Sequence, residues 1–274
     1  MHIGVTLRNM GPQSDRATLR AGAGYAEELG FESVWITDHI AIPPDDAEGS
    51  GGRYTDPLTT LAWLGGTTQR IKLGVGVLIA PYRPPLPTAK AIATLHELTE
   101  ERLILGLAVG WMDAEFRALG VPRKERGART DELIEFLQQS FTEEVVQHNG
   151  QDFLFDPKPA LPPIYLGGAA THAQKRCVRF GCGWLPMSGN PEKLAGEIER
   201  FTELARASNV ERGPVTVMSN LPLEDSGEAL ARLQKFRELG IDRFVCGHRY
   251  SNLAEYKTRL ELLAKLCESL DRPS

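Results

Sequence analysis

Short, continuously apolar runs alternate along the chain with longer segments whose apolar residues recur every three or four positions. The runs fall at 2–7, 33–37, 71–79, 103–109, 163–167, 183–187, 214–219 and 242–246. Because they do not alternate apolar with polar, they predict strands buried on both faces, as in a parallel sheet. The segments between them predict amphipathic helices. Their ends are chemically marked. Asp56-Pro57 and Asn190-Pro191 each set a capping side chain before a proline, whose missing N–H costs nothing at the first helical position. Gly30, Gly181 and Gly240 each stand just past a helix and just before a strand, where a left-handed residue ends the helix. Eight such strands alternating with helices predict one (β/α)8 barrel domain over residues 1–274.

Two stretches interrupt the alternation. Residues 112–162 hold a helix near 130–147 and then Asn149-Gly150 between β-prone stretches, which predicts a hairpin inserted at the barrel rim between the fourth and fifth strands. Residues 40–54, rich in Pro, Gly, Asp and Ser, predict a long loop over the active face. Substrate choice is expected to rest on 40–54, 112–162 and 247–253.

Composition narrows the function. With 31 basic against 36 acidic residues, net charge −5 and no Lys/Arg block, the chain has no footprint for nucleic acid. The stretch from Met1 to Arg8 is not a signal peptide, and no run approaches the roughly 20 apolar residues of a membrane helix. The four cysteines, Cys177, Cys182, Cys246 and Cys267, lack CxxC spacing and read as reduced core thiols of a cytoplasmic protein. Gly74-x-Gly76 is followed by Ile79 where a dinucleotide fingerprint requires glycine, and Gly22-x-Gly24 by Glu27. No Walker lysine, nucleophile elbow, His-Glu-x-x-His or close acidic cluster is present, so no metal is expected.

Chemistry is left to the strand ends. Glycines at 74, 76, 106 and 110 allow backbone to approach a flat or phosphorylated ligand. The second strand stops at Thr37, Asp38 and His39. Asp38 can accept hydrogen bonds and His39 can shuttle a proton near neutral pH, or the pair can cap the following loop. The fifth strand runs through Gly167, Gly168, Ala169 and Ala170 into a helix carrying His172, Lys175 and Arg176, which is either an anion site of backbone N–H groups or a tight turn. Arg8 and Arg249, just past the first and last strands, either face the mouth, where they attract an anionic substrate or cofactor tail, or pair with acidic residues on the rim. His248 and Tyr250 share that last loop. Trp111 and Trp184 touch ligand or pack, whereas Trp35 and Trp63 fill core.

Seven phrases carry a resemblance: Ala26 to His39, Asp56 to Trp63, Ile71 to Val77, Arg102 to Trp111, Phe116 to Pro122, Arg126 to Glu132 and Pro163 to Gly168. Together they resemble the bacterial luciferase-like (luciferase-like monooxygenase) family of flavin- or deazaflavin-dependent barrel oxidoreductases over nearly the whole chain. The resemblance implies that Asp38 and His39 face the edge of the ring system and that Gly76-Val77 forms a cis peptide beneath it. It places Ala108, Gly110 and Trp111 along the ring or ribityl chain and Gly167, Gly168, Ala169 and Ala170 around the phosphate. His39 becomes the proton-handling group, Arg249 a substrate contact, and the assembly a homodimer acting on a small molecule. The wording is closest to the subgroup using coenzyme F420, which passes hydride. FMN is the alternative and implies a monooxygenase, and a non-catalytic flavin-type binding barrel also stays open. Two departures stand out. Thr99-Glu100-Glu101-Arg102 replaces the Ser-Gly-Gly-Arg of many relatives, and Trp111 stands where some sugar-phosphate dehydrogenases of the family carry a catalytic glutamate, which disfavours a sugar phosphate.

Overall fold

The computed structural model describes residues 1–270. In chain order the elements are β1 His2–Thr6, α1 Arg16–Glu28, β2 Ser33–Ile36, α2 Pro57–Gly65, β3 Lys72–Ile79, α3 Pro85–Leu98, β4 Leu103–Ala108, α4 Asp113–Ala118 and α5 Arg126–Thr142. There follow β5 Val145–His148, β6 Gln151–Leu154, β7 Ile164–Gly168, α6 Ala170–Phe180, β8 Gly183–Pro186, α7 Pro191–Ala207, β9 Thr216–Asn220, α8 Ser226–Glu238, β10 Arg243–Gly247 and α9 Leu253–Leu270. All eight predicted barrel strands form.

They make one eight-stranded sheet in the order β8-β7-β4-β3-β2-β1-β10-β9. Every ladder in it is parallel, and the ring closes where Trp184 bridges Val215 and the Trp184 amide donates to Pro214 O at 2.8 Å. The expected (β/α)8 architecture is therefore present. The Asp56 and Asn190 side chains accept from Thr59 N and Lys193 N, and Gly30, Gly181 and Gly240 have φ of 80°, 66° and 65°. Both kinds of helix boundary take the predicted form.

β5 and β6 are the expected hairpin, turning through Asn149 and Gly150 at φ 50° and 77°, the positive pair that a tight two-residue turn demands. Its place corrects one expectation. The hairpin follows the C-terminal end of α5, and the chain leaving it is held at Ala160 N by Glu101 Oε1, 2.9 Å away in the turn that enters β4. It sits at the N-terminal rim, the end opposite the ligand-facing mouth, so of 112–162 only the part around α4 stands near the site.

The main core fills the layer between barrel and helices, with Trp184 against Phe201 and Phe236 against Phe244. A second cluster of Trp35, Ile104, Tyr165, Leu185 and Val245 fills the barrel itself. This explains the β3 glycines differently from the sequence reading. A Cβ on Gly74 would stand 2.3 Å from the Trp35 ring, and one on Gly76 2.6 Å from Met218 Sδ. These glycines first make room for neighbouring side chains. Below Trp35, the buried Arg243 donates to Glu32 at 2.8 and 2.9 Å, to Tyr165 Oη at 3.0 Å and to Thr216 Oγ1 at 3.3 Å, closing the floor. Among the described residues no helix is long and apolar enough to cross a membrane.

Candidate active site

At the C-terminal ends of the strands the organising group is Glu115, on α4 and fully buried. Its Oε1 accepts from the Ile40 and Ala41 amides at 2.6 and 3.0 Å, while Oε2 contacts His39 Nδ1 at 2.8 Å and accepts from Tyr82 Oη at 2.9 Å. Burial alone would raise this carboxyl, but the His39 hydrogen bond and the Ala41 and Ile40 amides outweigh it and hold it at about 2. Glu115 is thus an anion, and an anion only accepts. His39 must carry its proton on Nδ1. Among the described residues Nε2 has no hydrogen-bond partner, and it is not sealed from solvent, so one imidazole nitrogen is oriented and the other is available. The ring lies edge-on to Tyr54 at 4.9 Å and to Trp111 at 6.3 Å. Burial and then Glu115 push the Tyr82 hydroxyl upward, so it remains a donor.

Asp38 is placed differently from His39. It is buried, and its Oδ2 accepts from Arg83 Nη1 at 2.6 Å and Ile79 N at 2.9 Å while Oδ1 accepts from Arg83 Nη2 at 2.9 Å. Arg83 also reaches Asp56, the cap of α2, at 3.0 Å. Asp38 therefore clamps the ends of β2, β3 and α2 together. Asn9, fully buried, binds Thr37 through its carbonyl and donates to Thr37 O and Thr55 O, fixing the residues before His39.

β3 supplies the bed. The Gly76-Val77 peptide is cis, as the resemblance implies, and the β3–β4 register shifts between Val75 and Leu78. Gly76 and Val77 are partly exposed in a strand whose neighbouring positions are buried. A Cβ on Gly167 would meet Val77 Cγ1 at 3.1 Å and Ala108 Cβ at 3.5 Å, so these residues converge on one shallow apolar surface. Gly110, at φ 75°, could carry no side chain either, because a Cβ would stand 2.7 Å from Ile79 Cγ2. Beside it Trp111 is 63% exposed, a large ring standing at the mouth. Gly168 has φ 132°, and α6 follows with Ala169 as its N-cap and no side chain capping its amides. Bare backbone N–H groups at a helix start suit a phosphate. Together, an apolar glycine-lined bed, an uncapped helix start and an oriented imidazole fit a flavin-type cofactor.

Other predicted residues lie elsewhere. Trp184 is packed behind the barrel wall, and His248 is buried beside Tyr256 of α9, its Nε2 without a hydrogen-bond partner among the described residues. Burial pushes the His248 imidazole down to about 4, so it is neutral. Arg176 is held by Asp131 at 2.6 Å. Arg249 is exposed on the last loop, and Arg8 donates to Gly49 O at 3.2 Å, holding the 40–54 loop. The roles of Glu115, Tyr82 and Arg83 were not assigned from sequence. Glu115 carried a signal nonetheless: an acid in the first helical turn beyond the Gly110-Trp111 strand end. Among the described residues no group of His, Cys, Asp and Glu could hold a metal ion.

Known proteins resemble this chain in sequence and in fold. An F420-dependent hydroxymycolic acid dehydrogenase of Mycobacterium tuberculosis is 32% identical over 78% of this chain and 60% of its own length. The monooxygenase RslO1 of Streptomyces bottropensis superposes with TM-score 0.82 at 20% identity, covering 98% of this chain and 99% of that one. The oxygenating constituent of 3,6-diketocamphane monooxygenase of Pseudomonas putida, solved with FMN, superposes with TM-score 0.79 at 14% identity over the full length of both. The model of the luciferase-like monooxygenase family matches residues 1–266, and the chain belongs to that family of oxidoreductases.

Proposed function

We propose that this oxidoreductase passes a hydride between coenzyme F420 and a small organic substrate, with His39 exchanging the accompanying proton. The observation that carries the reading is the His39–Glu115 pair. A buried anion fixes Nδ1–H and leaves Nε2 as a base, or as an acid once protonated, at the wall of the bed. Val77, Ala108 and Gly167 would lie against the ring, Trp111 would flank it, and Gly168, Ala169 and Ala170 would take the phosphate. Bound there, a deazaflavin would supply a carbon that gives or takes one hydride. This chain's residues do the rest. Glu115 orients His39, Asp38 and Arg83 hold the strand ends that shape the bed, and Trp111 and the 40–54 loop limit access of water. The dehydrogenase relative supports the deazaflavin. The FMN-bound structural neighbour supports a second reading, FMN-dependent monooxygenation. A homodimer in the cytoplasm completes the proposal.

Titration of the apoprotein with each cofactor, followed by ring fluorescence, separates the two readings. Binding of F420 at least about tenfold tighter than FMN, with substrate-dependent bleaching of its absorbance under argon, supports the first. Tight FMN binding with oxygen-dependent turnover overturns it. His39→Asn should lower kcat by about a hundredfold or more while leaving F420 affinity within a few-fold. Unchanged kcat would remove His39 from the proposal.

A further inference from the structure

The ring of strands divides the mouth into two unlike halves. β3, β4 and β7 carry the bed, and β1 and β10 stand across from it, with β2 and its His39 between. Side chains along β1 alternate in direction. Val5 and Leu7 belong to the outer core, whereas a Cβ on Gly4 would stand 3.0 Å from Trp35 Nε1 inside the barrel, so Thr6 and then Arg8 continue the inner face. On β10, Val245 belongs to the inner cluster, and Gly247 and Arg249 follow it on that face. Val5 pairs with Cys246, and the same register carried onward sets Arg8 beside Arg249.

Neither arginine pairs with a carboxylate among the described residues. Arg8 Nη2 donates to Gly49 O at 3.2 Å and the guanidinium lies 6.0 Å from the Tyr250 ring, but Nε–H is sealed from water and meets no acceptor. A buried N–H left open is a cost that calls for a reason. Arg83, by contrast, is closed by Asp38 and Asp56. Tyr54 joins this wall to the imidazole. Met10, just past Arg8, bridges Tyr54, whose ring lies 4.9 Å from that of His39. Burial and Glu115 push the Tyr54 hydroxyl up while Arg8 draws it down, so both charges are felt there.

We propose that the substrate is a carboxylic acid whose carboxylate is held by Arg8 and Arg249, and whose hydroxyl or oxo carbon is thereby set over the bed beside His39. The hydroxyl–oxo part rests on the hydride reading above, which it deepens; the carboxylate part does not. In oxidation the hydroxyl carbon loses a hydride to the cofactor and the hydroxyl oxygen loses its proton to His39 Nε2, leaving an oxo acid. A guanidinium fork matches a carboxylate with two parallel N–H groups, and in turning to it Arg8 gives up only the exposed bond to Gly49. The charges also orient the acid. Glu115 holds a fixed negative charge behind His39, and the two cations stand on β1 and β10, so the carboxylate end is drawn away from the imidazole and the reacting carbon is left near it.

Calorimetry on the cofactor-loaded protein tests this with pyruvate, acetoacetate and levulinate, whose oxo carbon stands successively farther from the carboxylate, each beside its methyl ester. The best-bound acid should bind at least about tenfold tighter than its ester at low salt, and the advantage should shrink at high salt. The double variant Arg8→Met, Arg249→Met should cut that advantage to under about twofold, and Arg8→Lys, which keeps the charge without the fork, should fall between. Thermal unfolding midpoints confirm that the variants fold; if those at Arg8 do not, Arg249→Met alone should cut the advantage by about threefold or more. Failure of all three acids to bind, equal affinity of acid and ester, or an undiminished advantage in the folded variants overturns the proposal. Binding of FMN without binding of any deazaflavin overturns the F420 reading instead, and the hydroxyl–oxo part with it, while the acid-to-ester ratio on the FMN-loaded protein still decides the carboxylate part.

Discussion

Each end of the barrel holds a carboxylate at about 2, partly buried at the floor and fully buried at the mouth, and the two are used differently. At the floor, Glu32 meets Arg243, and burial, which would raise Glu32, is outweighed by the guanidinium. Arg243 Nε and both Nη atoms already have acceptors in Glu32, Tyr165 and Thr216. At the mouth, Glu115 meets His39, and the imidazole keeps one nitrogen unused. A guanidinium with every nitrogen engaged makes a closed plug. An imidazole with one nitrogen engaged makes a directed reactive group. The chemical type of the partner, more than the depth of the charge, decides which end of the barrel is structure and which is site.

Substitution at the floor should have the largest effect. Arg243→Met leaves Glu32 without its main counter-charge and should cost about 3–5 kcal/mol in urea unfolding, while the protein that remains folded binds cofactor normally. Loss of cofactor affinity in folded Arg243→Met would break the division between the ends. Glu115→Gln should do the reverse. With the orienting anion gone, kcat should fall about a hundredfold and the pH profile of kcat should move, while stability drops by about 1–3 kcal/mol. A variant that lost stability with kcat intact would make Glu115 a mere strut.

Acid titration sharpens the comparison further. His248 titrates near 4 when folded and near 6.5 when free, so the unfolded chain takes up its proton first. That stability is complete above about pH 6.5 and is lost as the pH falls toward 4. At pH 5 roughly 2 kcal/mol should be gone, and His248→Leu should abolish this limb. Glu32 and Glu115, depressed from 4.5 to about 2, contribute stability that is present above 4.5 and lost between there and 2. Two separate limbs in the pH dependence of the unfolding midpoint are the expected record. The smallest effect lies in the turn before β4, where Glu100 and Glu101 hold φ of 54° and 59°. Glu100→Gly should stabilise by about 1 kcal/mol, raising Tm by about 2 °C, and leave kcat alone.

Elements were more legible than contacts. Strands declared themselves because parallel strands covered on both faces must be continuously apolar, and helix ends because Asp56, Asn190, Gly30 and Gly181 do local work that needs no tertiary partner. His39 was legible as a polar residue at an apolar strand's end. Its companion was not: Glu115 lies 76 positions away in sequence, and nothing local ties the two. Asp38 looked like His39's equal, but only the fold brings Arg83 onto both its oxygens. Gly74 and Gly76 read in sequence as space for a ligand, because a sequence reports the missing side chain without saying whose atoms take its place. Here they are those of Trp35 and Met218. The Glu100-Glu101 turn shows the opposite case: two glutamates stand at positive φ, where the family resemblance offers Gly-Gly in many relatives.

The β1–β10 ladder has a consequence for how this molecule is made. His2 pairs with Arg243 and Val5 with Cys246, while the Arg8 amide donates to Tyr250 Oη. At synthesis rates of about 5–20 residues per second, the first strand waits on the order of tens of seconds for the last to leave the ribosome. Until then one edge of the growing sheet is open, Arg243 cannot plug the floor, and Arg8 has no Tyr250 to stand against while it holds the loop beyond His39. Catalytic competence and barrel closure should therefore arrive together, once β10 has been made.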